Sequence, residues 1–246
     1  MLREAYIAVP ELFDFIYPIL ISNNYHPRCW KEATGVILKK PQNAKPPYRD
    51  YALPKGYRVI SLLNCLGKVA EKIIAKRLAA IAEIKTLLYS HQIGGRKQKS
   101  AIDAVMVLTH EVQANWRTRK RIKWVTSMIT LDVKNAFGHV GTAQFAKVCM
   151  DLGLPTELIY WFISFMSDRT MRFAFDGEVG PLISVNSGCP QGSPISPIMF
   201  LIYVQHIFQA LDHSPEIKSM SYIDDIGLIT GSPCARTNGI RLQLAV

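Results

Sequence analysis

Apolar residues recur along this chain at two different periods, and the switch between them marks out its elements. Over residues 62–81, Leu62, Leu66, Val69, Ile73, Arg77 and Ile81 fall on one face of a helix, with Leu63, Ala70, Ile74 and Leu78 widening it. Residues 101–116 place Ile102, Val105, Leu108, Val112 and Trp116 likewise, and Ser100 with Asp103 forms a capping box at the start. The period then drops to two. Across 124–133, Val125, Ile129, Leu131 and Val133 share one face while Thr130 and Asp132 take the other, which predicts a strand. Thr142 to Leu152 predicts a short amphipathic helix stopped by Gly153. Pro155 opens another, running to about Asp168. Residues 170–176 and 182–187 read as a hairpin around Asp176-Gly177. A helix is expected from Ser196 through Leu211, followed by short strands at 217–223 and 226–230 joined at Asp224-Asp225. The segment from Lys39 to Gly56, rich in proline and basic residues, has no period and reads as a loop. This order of elements predicts an α+β fold.

Charge divides the chain more sharply than hydropathy does. Residues 1–124 hold 22 Lys and Arg against 9 Asp and Glu, a net of +13, whereas residues 125–246 hold 7 against 10, a net of −3. The basic half suits a phosphate-backbone partner, because Lys and Arg release condensed counterions on binding. No apolar run approaches the roughly 20 residues of a membrane span, so no membrane partner is expected. Met1-Leu2-Arg3-Glu4 does not open a secretory leader. Five cysteines are widely spaced with no C-x-x-C pair, which argues against a disulfide framework or zinc site and for an intracellular setting.

The acidic half carries the candidate chemistry. Asp132 ends a predicted strand, and Asp224 and Asp225 sit at a predicted hairpin tip. Adjacent strands can bring such carboxylates together, and their mutual repulsion is relieved when a divalent cation neutralises them. Mg²⁺ favours carboxylates together with substrate phosphates. Two such ions about 4 Å apart can activate an attacking hydroxyl and stabilise a leaving oxygen. Taken singly, each motif has an ordinary structural explanation, as a hairpin turn or a helix cap.

Taken together, the motifs resemble those of reverse transcriptases. Ile129-Thr130-Leu131-Asp132-Val133-Lys134-Asn135-Ala136-Phe137 looks like motif A, Gly188-Cys189-Pro190-Gln191-Gly192-Ser193-Pro194-Ile195-Ser196-Pro197 like motif B, and Ser221-Tyr222-Ile223-Asp224-Asp225 like motif C. Trp30 to Pro41, Tyr57 to Asn64, His91 to Arg96 and Ser100 to Ala104 resemble the fingers motifs of non-LTR (LINE-type) retrotransposons, with wording nearest to elements of filamentous fungi.

The resemblance implies a right-hand polymerase fold. Fingers would span about residues 1–123 and 155–193, and part of the palm, a small antiparallel sheet with helices, about 124–154 and 194–246. The family's motif D, primer grip and thumb would lie beyond Val246, so a partial domain without a thumb is expected. The resemblance also implies RNA-directed DNA polymerase activity on an RNA template and a DNA primer, with deoxynucleoside triphosphates and two Mg²⁺ ions (Mn²⁺ substituting). Asp132 and Asp224 would ligate both ions, Asp225 would assist, and the Val133 carbonyl would add a ligand. Phe137 would be the steric gate against ribonucleotides. Gln191 and Gly192 would line the nucleotide pocket, and Arg58 with Lys39 or Lys40 would grip the triphosphate. Gly138 replaces the family's usual Asp, and Val59 its usual Pro. The implied location is a cytoplasmic ribonucleoprotein and the nucleus. The competing expectation is a truncated, non-catalytic remnant that only binds nucleic acid.

Overall fold

The structure is a computed structural model that describes residues 2–42, 50–117, 124–133, 135–211 and 214–246. In chain order its elements are α1 (Leu2–Ala8), α2 (Pro10–Ser22), β1 (Glu32–Lys39), β2 (Tyr57–Leu62), α3 (Cys65–Ile84), α4 (Ala101–Arg117), β3 (Val125–Asp132), α5 (Thr142–Asp151), α6 (Thr156–Met166), β4 (Arg169–Phe175), β5 (Glu178–Val185), α7 (Ser196–Tyr203), α8 (Gln205–Leu211), β6 (Ile217–Tyr222), β7 (Asp225–Ser232) and α9 (Ala235–Leu244). The α+β expectation holds. The chain divides into two units, Met1–Arg77 with Phe137–Ser196 and Leu78–Ala136 with Pro197–Val246. These bounds follow compactness and differ from the fingers and palm ranges expected from sequence.

The first unit is built on a four-stranded sheet of order β2-β1-β4-β5. β1 runs antiparallel to β2 and parallel to β4, with Glu32 opposite Thr170. Sequence pattern missed β1 and β2, and it placed Leu62 on a helix. Asn64 explains the difference. Its Oδ1 accepts the N–H groups of Leu66 and Gly67 at 2.9 and 3.2 Å, so the helix starts after it and Leu62 remains in β2. The stripe that α3 buries is Ala70, Ile74, Leu78 and Ala82, not the Leu66 row. β5 starts at Glu178, earlier than expected, and includes Pro181, which an edge strand tolerates. The core of this unit lies on α5 and α6, where Phe145, Val148, Trp161, Phe162 and Phe165 are almost fully buried.

The second unit is built on a three-stranded antiparallel sheet of order β3-β7-β6. Here the alternation read from sequence holds over the last four residues of β3, with Ile129 and Leu131 turned inward and Thr130 and Asp132 outward, but Val125, expected on the inward face, is exposed at the start of the strand. The capping box also forms, with the Ser100 N–H donating to Asp103 Oδ2 at 2.6 Å. The expected inward face of α4 does not. Ala104, Val107 and Leu108 pack on Ile93, Met220 and Ile229, whereas Ile102, Val105 and Trp116 are exposed. The helix expected through Leu211 breaks at Val204, β7 runs on to Ser232, and α9 follows it, its Asn238 donating to the Val125 carbonyl at 2.7 Å. Among the described residues no single helix is long and apolar enough to cross a membrane. The run Arg117-Thr118-Arg119-Lys120-Arg121, whose sequence predicts a basic turn, lies beyond Arg117 outside the described residues.

Candidate active site

The second unit places the three aspartates at one end of its sheet. Asp132, the last residue of β3, stands directly opposite Asp225, the first of β7. Directly opposed residues project on the same face with Cβ atoms about 4.5–5.5 Å apart. Asp225 is also opposite Tyr222 across the β6–β7 hairpin, so Ile223-Asp224 form its two-residue loop. The aspartate face is open at this end, with Met128, Thr130, Asp132, Tyr222 and Asp225 exposed, and further along it is covered by α4, which packs on Met220 and Ile229. The other face is core, with Ile217, Ser219, Ser221, Ile226 and Leu228 buried.

The donor set fits a hard divalent cation, being three carboxylates. Among the described residues none of the three has an ion-pair partner. Nor is any group of three potential ligand side chains drawn tightly enough to cage an ion, again among the described residues. Mg²⁺ does not require such a cage, since it keeps waters and takes substrate phosphates. The Val133 carbonyl accepts the Ala136 N–H at 3.2 Å, which leaves it one further lone pair.

The tip of this hairpin is irregular. Ile223 has φ +59, a region that β-branched residues avoid. Residues 91–95 lie alongside it: the Ile93 N–H donates to the Ser221 carbonyl at 2.8 Å, and the Ser221 N–H to the His91 carbonyl at 3.0 Å. No local sequence pattern announced this brace.

The first unit gathers the residues assigned to the nucleotide. The Ser61 N–H of β2 donates to the Gln191 carbonyl at 2.9 Å. Gly192 has φ +111, and a Cβ there would lie 2.7 Å from the Ser61 carbonyl oxygen, so only glycine fits this loop. Cys189 N–H donates to the Phe137 carbonyl at 2.7 Å, and Gly188 N–H to that of Val140 at 3.0 Å. Phe137, half-buried on a short 3₁₀ turn, is thereby tied to the same loop. Gly138 faces Gly188, where a Cβ would lie 2.8 Å from its Cα.

Arg58 is exposed on β2, opposite Leu38. The two lysines differ. Lys39 is opposite Tyr57 and its Nζ sits over the Tyr51 ring, 5.6 Å from the centroid. The Lys40 N–H donates to the Gly56 carbonyl at 2.9 Å, extending the ladder by one residue. Alternation therefore gives Lys40, not Lys39, the face of Arg58.

Beneath the Gln191 loop lies a buried polar group that sequence reading passed over. Ser193 Oγ donates to Glu71 Oε2 of α3, and Ser196 Oγ to the Pro190 carbonyl at 3.0 Å. Burial holds the Glu71 carboxyl above its ordinary range, against the opposing pull of the Ser193 hydrogen bond and of Arg169. Its signal was available, as an acid set among the apolar positions 70, 74 and 78 of a helix.

The sequence profile of the family described as "Reverse transcriptase (RNA-dependent DNA polymerase)" matches residues 37–244. The chain is 27% identical over 237 residues to "Probable RNA-directed DNA polymerase from transposon X-element" of Drosophila melanogaster, covering 94% of this chain and 24% of that protein. It is 29% identical over 213 residues to "Retrovirus-related Pol polyprotein from type-1 retrotransposable element R1" of Bradysia coprophila, covering 86% and 20%. It thus spans about a quarter of the length of such relatives. Among solved structures, it resembles the C-terminally truncated apo telomerase of Candida tropicalis with a TM-score of 0.59 at 11% identity, covering 89% of this chain and 47% of that one. That likeness concerns the fold.

Proposed function

This chain belongs to the reverse transcriptase (RNA-dependent DNA polymerase) family, and on that premise we propose that it is polymerase sequence from a non-LTR retrotransposon, copying an RNA template into DNA from a DNA primer. The observation that carries the proposal is the register of the second unit's sheet, which sets Asp132 against Asp225 with Asp224 in the adjoining loop. Asp132 and Asp224 are assigned to two Mg²⁺ or Mn²⁺ ions, with Asp225 assisting and the Val133 carbonyl adding a ligand. When bound, such ions lower the barrier for attack of the primer 3′-hydroxyl on the incoming nucleotide. Arg58 and Lys40 are assigned to the triphosphate, as fixed cations on one face of the β1–β2 ladder. Lys39 is the weaker candidate because Tyr51 already engages it. Phe137 is assigned to exclusion of the ribose 2′-hydroxyl, and Gln191 and Gly192 to contacts with the nucleotide. The wording of the fingers motifs supports a filamentous-fungal source. The basic first half supports a ribonucleoprotein, and the resemblance to non-LTR elements implies that it forms in the cytoplasm and works in the nucleus.

Primer extension on an RNA template tests the reading. The expected outcome is short, Mg²⁺-dependent incorporation of deoxynucleotides that Asp132→Asn abolishes. Phe137→Ala should raise ribonucleotide incorporation, and Lys40→Ala should raise the KM for deoxynucleotides more than Lys39→Ala does. Salt-dependent RNA binding with no extension would instead make the chain a nucleic-acid-binding remnant.

A further inference from the structure

Gly94 lies against the aspartate hairpin with no room for a side chain. A Cβ there would fall 2.6 Å from the Ile223 amide nitrogen, 2.8 Å from Ile223 Cγ1 and 2.9 Å from the Tyr222 carbonyl carbon. Two of these three atoms belong to backbone, which cannot swing aside as the end of a long side chain can. The contact falls at the one loop residue with a disfavoured torsion, Ile223. A turn in that conformation persists when its surroundings over-determine it.

Those surroundings are themselves fixed. The Arg96 guanidinium, mostly buried, donates to the carbonyls of Tyr89 and Gln92 at 3.0 and 3.1 Å and to both oxygens of Glu83 at 2.8 and 2.6 Å. Gln92, wholly buried, donates to the Leu201 carbonyl at 2.9 Å, and its Oε1 accepts the Tyr89 N–H. Residues 89–96 therefore form a clamped segment that is hydrogen-bonded to Ser221 on the strand leading into the loop.

We propose that Gly94 is a positioning residue: by allowing this clamped backbone to touch Ile223, it sets the direction in which the Asp224 carboxylate leaves the turn. The proposal rests on the assignment of Asp224 to metal binding. An added methyl cannot be absorbed by the clamped segment, so the loop yields and Asp224 moves with it. A misplacement near one ångström costs on the order of a hundredfold in rate.

The test compares Gly94→Ala with the Gly94→Ala/Ile223→Gly double variant, which removes Cγ1 and frees the loop torsion. Mn²⁺ affinity is read by electron paramagnetic resonance, the loop by backbone amide shifts, and turnover by primer extension. Gly94→Ala should shift the amides of residues 222–225 but not those of Asp176 and Gly177. It should weaken Mn²⁺ binding about tenfold and lower kcat about a hundredfold with little change in the KM for deoxynucleotides. The double variant should recover only part of each loss, because the contacts with the Ile223 nitrogen and the Tyr222 carbonyl carbon remain. Parent-like amides and Mn²⁺ affinity in Gly94→Ala would overturn the proposal. If Gly94→Ala does not fold, Arg96→Lys loosens the clamp without adding an atom at the contact. It should move the same amides, and unmoved amides would overturn the proposal equally. A parent chain that neither binds Mn²⁺ nor extends primers would sink the polymerase reading alone, because the amide shifts still decide whether Gly94 sets the loop.

Discussion

The β4–β5 and β6–β7 hairpins both reverse the chain through two residues, and both place the first of them at positive φ, +55 at Asp176 and +59 at Ile223. Their chemistry is opposite. Asp176-Gly177 is a sequence that two-residue turns favour, and nothing lies within 4 Å of where a Gly177 Cβ would stand. Ile223-Asp224 violates that preference, at a cost of order 1–3 kcal/mol, and has the 89–96 segment built against it. A turn that follows local rules needs no neighbours, whereas one that breaks them needs a fixed surface behind it. The hairpin with the braced, disfavoured turn is the one that carries the motif C aspartates.

The sharpest way to break this comparison is to exchange chemistry at the two tips. Asp224→Asn should reduce primer extension to background, and Asp176→Asn, the same change in the unbraced turn, should leave it untouched. Equal losses would mean that charge at any hairpin tip matters and that the brace marks nothing.

Acid should separate the units next. In the first unit His26 is fully buried among Trp30, Trp161 and Phe165. Burial, with Arg169 and Lys31 nearby, holds its pKa down at about 3. The unfolded chain therefore takes up this proton first. The stability His26 contributes is complete above about pH 6.5 and is lost as pH falls towards 3. Between pH 6.5 and 4 the loss is on the order of 3 kcal/mol. Glu71, whose pKa is raised by burial, acts in the other sense: its contribution is complete below its unfolded pKa and lost as pH rises through its folded one. Hydrogen exchange should show β4–β5 losing protection on acidification before β6–β7 does. His26→Phe should abolish that loss and leave a gradient of opposite sign. An unchanged acid response in His26→Phe would contradict the assignment.

The smallest effect concerns the compliant turn. Gly177→Ala forces a side chain into positive φ and should destabilise the chain by about 1 kcal/mol in urea denaturation, with Mn²⁺ affinity unchanged. A drop in Mn²⁺ affinity there would show that the two hairpins are not independent.

What sequence made legible follows from the range over which each feature is decided. The alternation of Thr130 and Asp132 against Ile129 and Leu131, the Ser100–Asp103 capping box and the Asp176-Gly177 turn are set by residues within a few positions, and all were readable. β1 and β2 were not, because a Pro- and Lys-rich stretch separates them and the β4 strand on the other side of β1 lies more than a hundred residues away. The buried face of α4 was misread because two apolar stripes compete on it, and contact with Ile93, Met220 and Ile229 chooses between them. At the candidate site the aspartates stood out through motif order. The brace by Gly94 and the Glu71–Ser193 contact depend on contacts between distant segments, so spacing alone could not reveal them.

The interleaving of the two units bears on how the chain is made. Strand β1 cannot pair with β4, nor β3 with β7, until roughly a hundred or more further residues have left the ribosome. At about 5–20 residues per second that is a wait of several seconds to tens of seconds. During it the first half, with its +13 charge, holds the β1–β2 pair but not the β4 strand that completes their sheet. A basic nascent segment with an incomplete sheet, held beside its own messenger, is well placed to be bound by that RNA before its fold is complete. The transcript would then be the first nucleic acid this polypeptide meets.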